Sequence, residues 1–287
     1  MKVRILFLLA GFLGMLLTVQ SLQWTGNAGA AETRVQAAAE KTAESGSKSL
    51  SQDEKLDKKV NALRSQTDAL MKEGNLQDLK EVVELYEAEL ASHPDNFEAN
   101  WKCAKACRLY GDLAKRMEKQ GWEDICAEYG KKGMKYAKKA IDLEPDKPNG
   151  YYYYGLCVGT YSDGVGLITA LREGLKDKTQ NNLEKAYEID KHFENGGPIV
   201  AIGRFWQVVP WPYNDADKAM EYYREFQETD HFETAEGVNA RVYMAEILID
   251  RWGSEPKEEA RQLLNEVIEL TDDPYWKERA EEMLTDL

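Results

Sequence analysis

Few side chains in this sequence combine the type and spacing that chemistry needs. Three histidines, His93, His192 and His231, each fall at the end of a helical pattern and apart from one another. A cation there is favoured by the unpaired carbonyls of a helix C-terminus. There is no H-E-x-x-H for zinc, no G-x-S-x-G elbow and no phosphate-cradling glycine motif. The acid pairs Asp215/Asp217 and Asp272/Asp273 sit where helix N-caps want them and lack the alternation of a calcium loop. The cysteines Cys103, Cys107, Cys126 and Cys157 are even in number. Cys103 and Cys107 share one helix face and bridge each other poorly. Two expectations stay open: a Cys103–Cys157 disulfide between neighbouring helices, or four thiols packed as small apolar groups. No catalytic residue, metal or cofactor is expected, and the chain is read as a non-enzyme.

Aromatic residues offer more. Tyr151 to Tyr154 turn about 100° each on a helix, so they cannot all face one core. Phe205, Trp206, Trp211 and Tyr213 are broken by Pro210 and Pro212, which exclude one uninterrupted helix. Such rings either fill gaps between helix layers or line a binding surface, and Arg204 beside them either suits a pocket or an interface or pairs internally with one of the many carboxylates. The candidate binding residues are therefore Tyr151, Tyr154, Arg204, Phe205, Trp206, Trp211 and Tyr213.

The elements that must position these residues are helices. The 287 residues carry 51 acids against 37 bases, a net charge of −14, which excludes nucleic acid as a partner. Lys2 and Arg4, the uncharged run from Ile5 to Val19 and the small residues Ala28-Gly29-Ala30 predict a cleaved export signal over 1–30 and a periplasmic mature chain, with no cysteine for lipid attachment. Residues 31–52 hold almost no large apolar side chains and are expected to be a flexible lead. From residue 53 to 287 apolar residues recur at helical spacing, as in Leu79, Val82, Val83, Tyr86 and Leu90. Helix pairs are predicted to close at Pro94, Pro145, Lys191, His231 and Pro274. These steps of roughly 40 to 50 residues exceed the tetratricopeptide period of about 34. Longer helices or insertions around 111–130 and 162–180 must make up the difference. Ala140, Gly155 and Ala219 are the small residues expected where helices cross. The expected fold is all-α: a superhelix of four to five tetratricopeptide-like antiparallel helix pairs, capped by the polar helix holding Tyr275, Trp276, Ala280 and Leu284.

The stretch from Phe193 to Asp215, with Gly196-Gly197-Pro198, Ala201-Ile202-Gly203-Arg204 and Pro210-Trp211-Pro212, resembles the T-component (TatT) family of TRAP-transporter proteins. Glu144-Pro145 followed by Tyr151, Tyr154, Gly155 and Leu156 is similar to the same family. The resemblance implies a periplasmic helical-repeat protein that forms a homotrimer and engages a solute-binding protein. With it comes the expectation of a small hydrophobic ligand on the concave wall. Another envelope-assembly scaffold is the alternative.

Overall fold

The computed structural model describes residues 65–71 and 74–287, so the export signal, the lead and the start of the helical region lie outside the described residues. Among the described residues a helical stretch at 65–71 is followed by ten helices from residue 76 on: α1 (Leu76–Ser92), α2 (Phe97–Arg116), α3 (Trp122–Leu143), α4 (Pro148–Arg172), α5 (Leu175–Asp190), α6 (Phe193–Val208), α7 (Ala216–Gln227), α8 (Ala235–Ile249), α9 (Ser254–Leu270) and α10 (Pro274–Thr285). A 3-10 turn, Asp230–Glu233, precedes α8. No strand occurs among the described residues.

Local chemistry sets the helix ends. Asn75, Asn96, Asp215 and Asp273 cap α1, α2, α7 and α10 by accepting backbone N–H bonds with their side chains. Asn75 and Asp78 complete a reciprocal capping box. Pro148 and Pro274 occupy first turns, where the missing N–H is not needed. The odd-numbered helices end at Ser92, Leu143, Asp190, Gln227 and Leu270, each within four residues of a predicted closing position. The long repeat step is absorbed by α2, which runs on to Arg116, and by α4, which runs on to Arg172 after a break at Gly166 (φ 74°).

Consecutive helices pack antiparallel, and α2, α4, α6, α8 and α10 also touch in succession. The odd-numbered helices make no comparable contacts with one another. A stack that is closer on one side than on the other must curve toward the close side, so the even-numbered helices form the inner wall of a superhelix.

Close approach depends on side chains that are not there. A Cβ on Gly130 of α3 would lie 2.5 Å from the Tyr161 backbone nitrogen of α4, and one on Gly133 would collide with the Cys157 sulfur. Gly155 and Gly203 admit Leu183 and the Tyr223 ring in the same way. Ala140 and Ala219 are fully buried, as expected of crossing points. The core is continuous in character along the stack. Leu79, Val82, Val83 and Tyr86 fill it at the start, and Tyr223, Phe226, Met244 and Leu264 fill it further on.

Replacing Gly130 by Ala is expected to lower unfolding free energy by roughly 1–3 kcal/mol, the range for overpacking a tight contact; urea denaturation followed by circular dichroism measures it. A second test uses buried phenols. The Tyr86 hydroxyl sits 2.8 Å from the buried Thr67 hydroxyl, and burial pushes its pKa up to about 12 despite that bond. Burial raises Tyr129 and Tyr187 to about 12 as well. Raised folded pKa values favour the neutral form, so stability is full below pH ~10 and falls as pH rises toward 12. Phenolate absorbance and circular dichroism followed together from pH 9 to 13 should show ionisation of these rings coinciding with loss of helix.

Candidate functional site

The inner wall carries its charges in two arrays. On α2 the positions 105, 108, 112 and 116 fall on one face, opposite the buried Cys103 and Cys107. Asp112 accepts from Arg108 at 3.0 Å and from Arg116 at 2.8 Å. On the later helices Glu246 of α8 accepts from Arg204 of α6 at 2.6 Å and from Arg279 of α10 at 3.1 Å. Gln207 donates to the same carboxylate at 3.0 Å and to the Tyr243 carbonyl at 3.1 Å, and it accepts from the Tyr223 hydroxyl at 2.8 Å.

Between the arrays stands Tyr243. The Arg204 guanidinium lies 4.1 Å from its ring centroid. Burial pushes the Tyr243 hydroxyl pKa up, against the pull of Arg204, while Asp112 raises it and Arg116 lowers it. Those influences come from α2 on one side and α6 on the other, so the ring sits where the curving wall faces itself. Arg116 completes the closure: its guanidinium lies 5.0 Å from both the Tyr275 and Trp276 ring centroids and 3.9 Å from Asp273. The second helix and the last one thus meet across the groove. They enclose a cavity of about 560 Å³ lined by Arg116, Arg204, Tyr243, Glu246, Trp276 and Arg279, with Glu118, Glu278 and Glu282 exposed at its margin.

The arginines keep their charge. Burial disfavours the Arg204 guanidinium, but Tyr243 and Glu246 outweigh it and hold the pKa above its ordinary value. Arg108 is raised likewise, burial being outweighed by Asp112. Asp112 itself is held below the usual carboxylate range, because Arg108 and Arg116 outweigh its own burial.

Of the residues singled out from the sequence, only Arg204 reaches this cavity. Phe205 is buried, and Trp206 is packed against the cores on either side of α6. Tyr154 packs in the layer around Tyr153, and Tyr151 is half-buried on α4 away from the cavity lining. Trp211 and Tyr213 stand exposed in the connection from α6 to α7, where the ammonium of Lys176 lies 5.1 Å from the Tyr213 ring. The run of four tyrosines does divide as helix geometry demands: Tyr153 is buried against Trp101 and Phe193, and the other three are half-buried.

Arg116, Tyr243, Glu246, Trp276 and Arg279 were not foreseen. The one readable signal was the i, i+4, i+8 series Arg108, Asp112, Arg116, which looks like an ordinary surface ladder.

One open alternative is decided, in favour of packed thiols, and one expectation changes. All four cysteines are buried free thiols, and no Cys103–Cys157 bond is formed. Cys157 donates instead to the Ala104 carbonyl at 3.4 Å, and Cys126 to that of Gly111 at 3.3 Å. Burial pushes the Cys126 thiol up to about 11 and Cys103 and Cys157 well above their usual value. His192 and His231 are not apart: their rings lie 5.6 Å from each other. Among the described residues no group of three His, Cys, Asp or Glu is placed to hold a metal. No helix there is long and apolar enough to cross a membrane.

Residues 63–195 match the family model described as Regulator of microtubule dynamics protein 1-3. The matched stretch runs from ahead of α1 to the start of α6. No curated protein matches the chain. The match overturns the resemblance to the TRAP-transporter T-component and the functions it implied, a periplasmic transport partner or another envelope scaffold, because the residues that match this different family model include Glu144-Pro145 and Tyr151–Leu156. The other segment quoted for that resemblance has a local explanation. Glu194, Asn195 and Gly196 are left-handed, Gly197 lies flush against the Tyr152 hydroxyl, and Pro198 opens the regular part of α6. A tight entry into a helix requires such residues whatever the family.

Replacing Glu246 by Ala removes the acceptor that Arg204, Arg279 and Gln207 share. A cost of about 1–2 kcal/mol is expected, below that of a fully buried pair because the Arg204 side chain is 34% exposed. Thermal unfolding with and without the substitution measures it, and Glu246→Gln should cost less by keeping an acceptor oxygen.

Proposed function

We propose that this chain is a binding module and not an enzyme, and that the groove walled by α2, α6, α8 and α10 is where it holds a protein partner. The observation that carries the reading is one cavity into which Arg116, Arg204 and Arg279 converge around Glu246 and the rings of Tyr243, Tyr275 and Trp276. Charged forks braced by aromatic rings over a concave floor are the composition of recognition sites. Catalysis has less to draw on. All four thiols are buried, and burial raises the pKa of Cys103, Cys126 and Cys157, which makes those three poor nucleophiles. The two neighbouring histidines lie outside the cavity lining.

The family matched over residues 63–195 is described as a regulator of microtubule dynamics, so polymerised tubulin is the first partner to try. In co-sedimentation the chain should appear in the pellet, and Arg204→Ala with Arg279→Ala should weaken that binding at least tenfold. Equal pelleting by wild type and double variant, or no pelleting at all, removes this groove from microtubule regulation.

A further inference from the structure

We infer that one edge of the superhelix docks on the surface of a zwitterionic lipid bilayer, through apolar side chains carried at the tips of four successive turns. This surface is separate from the groove and does not depend on it.

Because consecutive helices are antiparallel, the turns leading out of α2, α4, α6 and α8 lie on one edge of the stack, and the turns leading out of the odd-numbered helices lie on the other. Three contacts tie the first set together. Lys115 pairs with Asp163 at 2.8 Å, the Lys176 ammonium lies 5.1 Å from the Tyr213 ring, and Arg251 pairs with Asp217. Ten large apolar side chains stand exposed among the described residues, and eight of them are on this edge. Met117 follows α2, Ile168 and Leu171 lie in the last turns of α4, Trp211 and Tyr213 follow α6, and Trp252 follows α8. Leu167 and Val208 stand beside them, while Leu270 and Tyr275 are on the other edge. Exposed apolar residues scattered singly need no explanation, but their gathering along one edge does.

Charge divides the same way. The five turns of the opposite edge hold eight carboxylates against two lysines, whereas the four turns of the apolar edge hold four carboxylates against two bases. Exposed Lys119, Arg172 and Lys178 flank the apolar tips, with stems that can lie along acyl chains while their cations reach headgroup phosphates. With the acidic edge turned to water, a chain of net charge −14 approaches a bilayer without presenting most of its acids to it. The small acidic excess left on the apolar edge suits a zwitterionic surface better than a strongly anionic one.

Shape selects lipid over a folded partner. Trp252 is fully exposed, Trp211 is 85% exposed and Ile168 76%, each in a different turn. Side chains that project singly would each require a matching pocket in a rigid partner. A fluid interface closes around every one of them, and tryptophan, tyrosine and aliphatic tips are the side chains that settle at headgroup depth. Backbone breaks project two of these groups: Gly166 (φ 74°) interrupts α4 just ahead of Leu167, and Pro210 and Pro212 keep the Trp211 segment from continuing α6. No described helix is long and apolar enough to cross a membrane, so the edge lies on the bilayer without spanning it.

The test uses the full chain and phosphatidylcholine vesicles in a flotation assay. Wild type should float with the vesicles, and a tenfold rise in salt should change binding less than twofold, since apolar insertion is not screened. Ile168→Ser combined with Trp211→Ser and Trp252→Ser should weaken binding at least tenfold while leaving the thermal midpoint within a few degrees, because all three side chains are exposed. Leu270→Ser on the opposite edge and Arg279→Ala in the groove should each change it less than twofold. Brominated phosphatidylcholine locates the contact: it should quench tryptophan emission, and Trp211→Phe with Trp252→Phe should remove most of that quenching while binding persists. Flotation that survives the serine variant, quenching that survives the phenylalanine variant, a steep loss with salt, or no flotation overturns the inference. The first two results assign attachment to another segment, such as the uncharged run from Ile5 to Val19. A dimer in light scattering that the serine variant dissolves gives the edge to a second copy and overturns it as well.

Discussion

Close contact between the even-numbered helices is the constraint on which the rest of the molecule depends. Glycines on the facing sides make room for it: a Cβ on Gly111 of α2 would lie 2.5 Å from the Thr160 methyl of α4, and one on Gly197 of α6 would meet the Tyr152 hydroxyl of α4. The inner wall is therefore shorter than the outer one, and the stack curls. From α2 to α10 the curl is sufficient for Arg116 to reach Tyr275 and Trp276. Without that curl Arg116 would not reach the cavity that Arg204 and Arg279 line.

The polar wall is stable because its charges are arranged in threes. An arginine buried alone would bear the full penalty of desolvation, and a one-to-one pair would present little to a ligand. Two guanidiniums on one carboxylate satisfy the acid, lower its pKa in the case of Asp112, and leave donors facing inward. The aromatic rings of Tyr243, Tyr275 and Trp276 supply flat surfaces against which the guanidiniums stack. Stability and readiness to bind come from the same contacts.

Helices, their ends and their pairing were legible because each rests on local chemistry: caps such as Asn96 and Asp215, stops such as Pro94 and Pro145, and apolar spacing such as Leu79 to Leu90. The site was not legible because its residues come from four helices spread between positions 116 and 279, and only the curvature brings them together. Aromatic richness misdirected the reading. Phe205 and Trp206 are interior packing around α6, and the rings that brace arginines are Tyr243, Tyr275 and Trp276, which no motif marks. Gly196-Gly197-Pro198 misled in another way, since a left-handed entry to a helix and a family signature demand the same residues.

Contact between Arg116 and the last helix also has a mechanical meaning. An open solenoid stretches like a spring, each layer yielding separately, whereas one whose outermost layers are clasped resists as a hoop. Pitch, aperture and the Arg116 stacking then change together, so whatever widens the mouth must also unwind the coil.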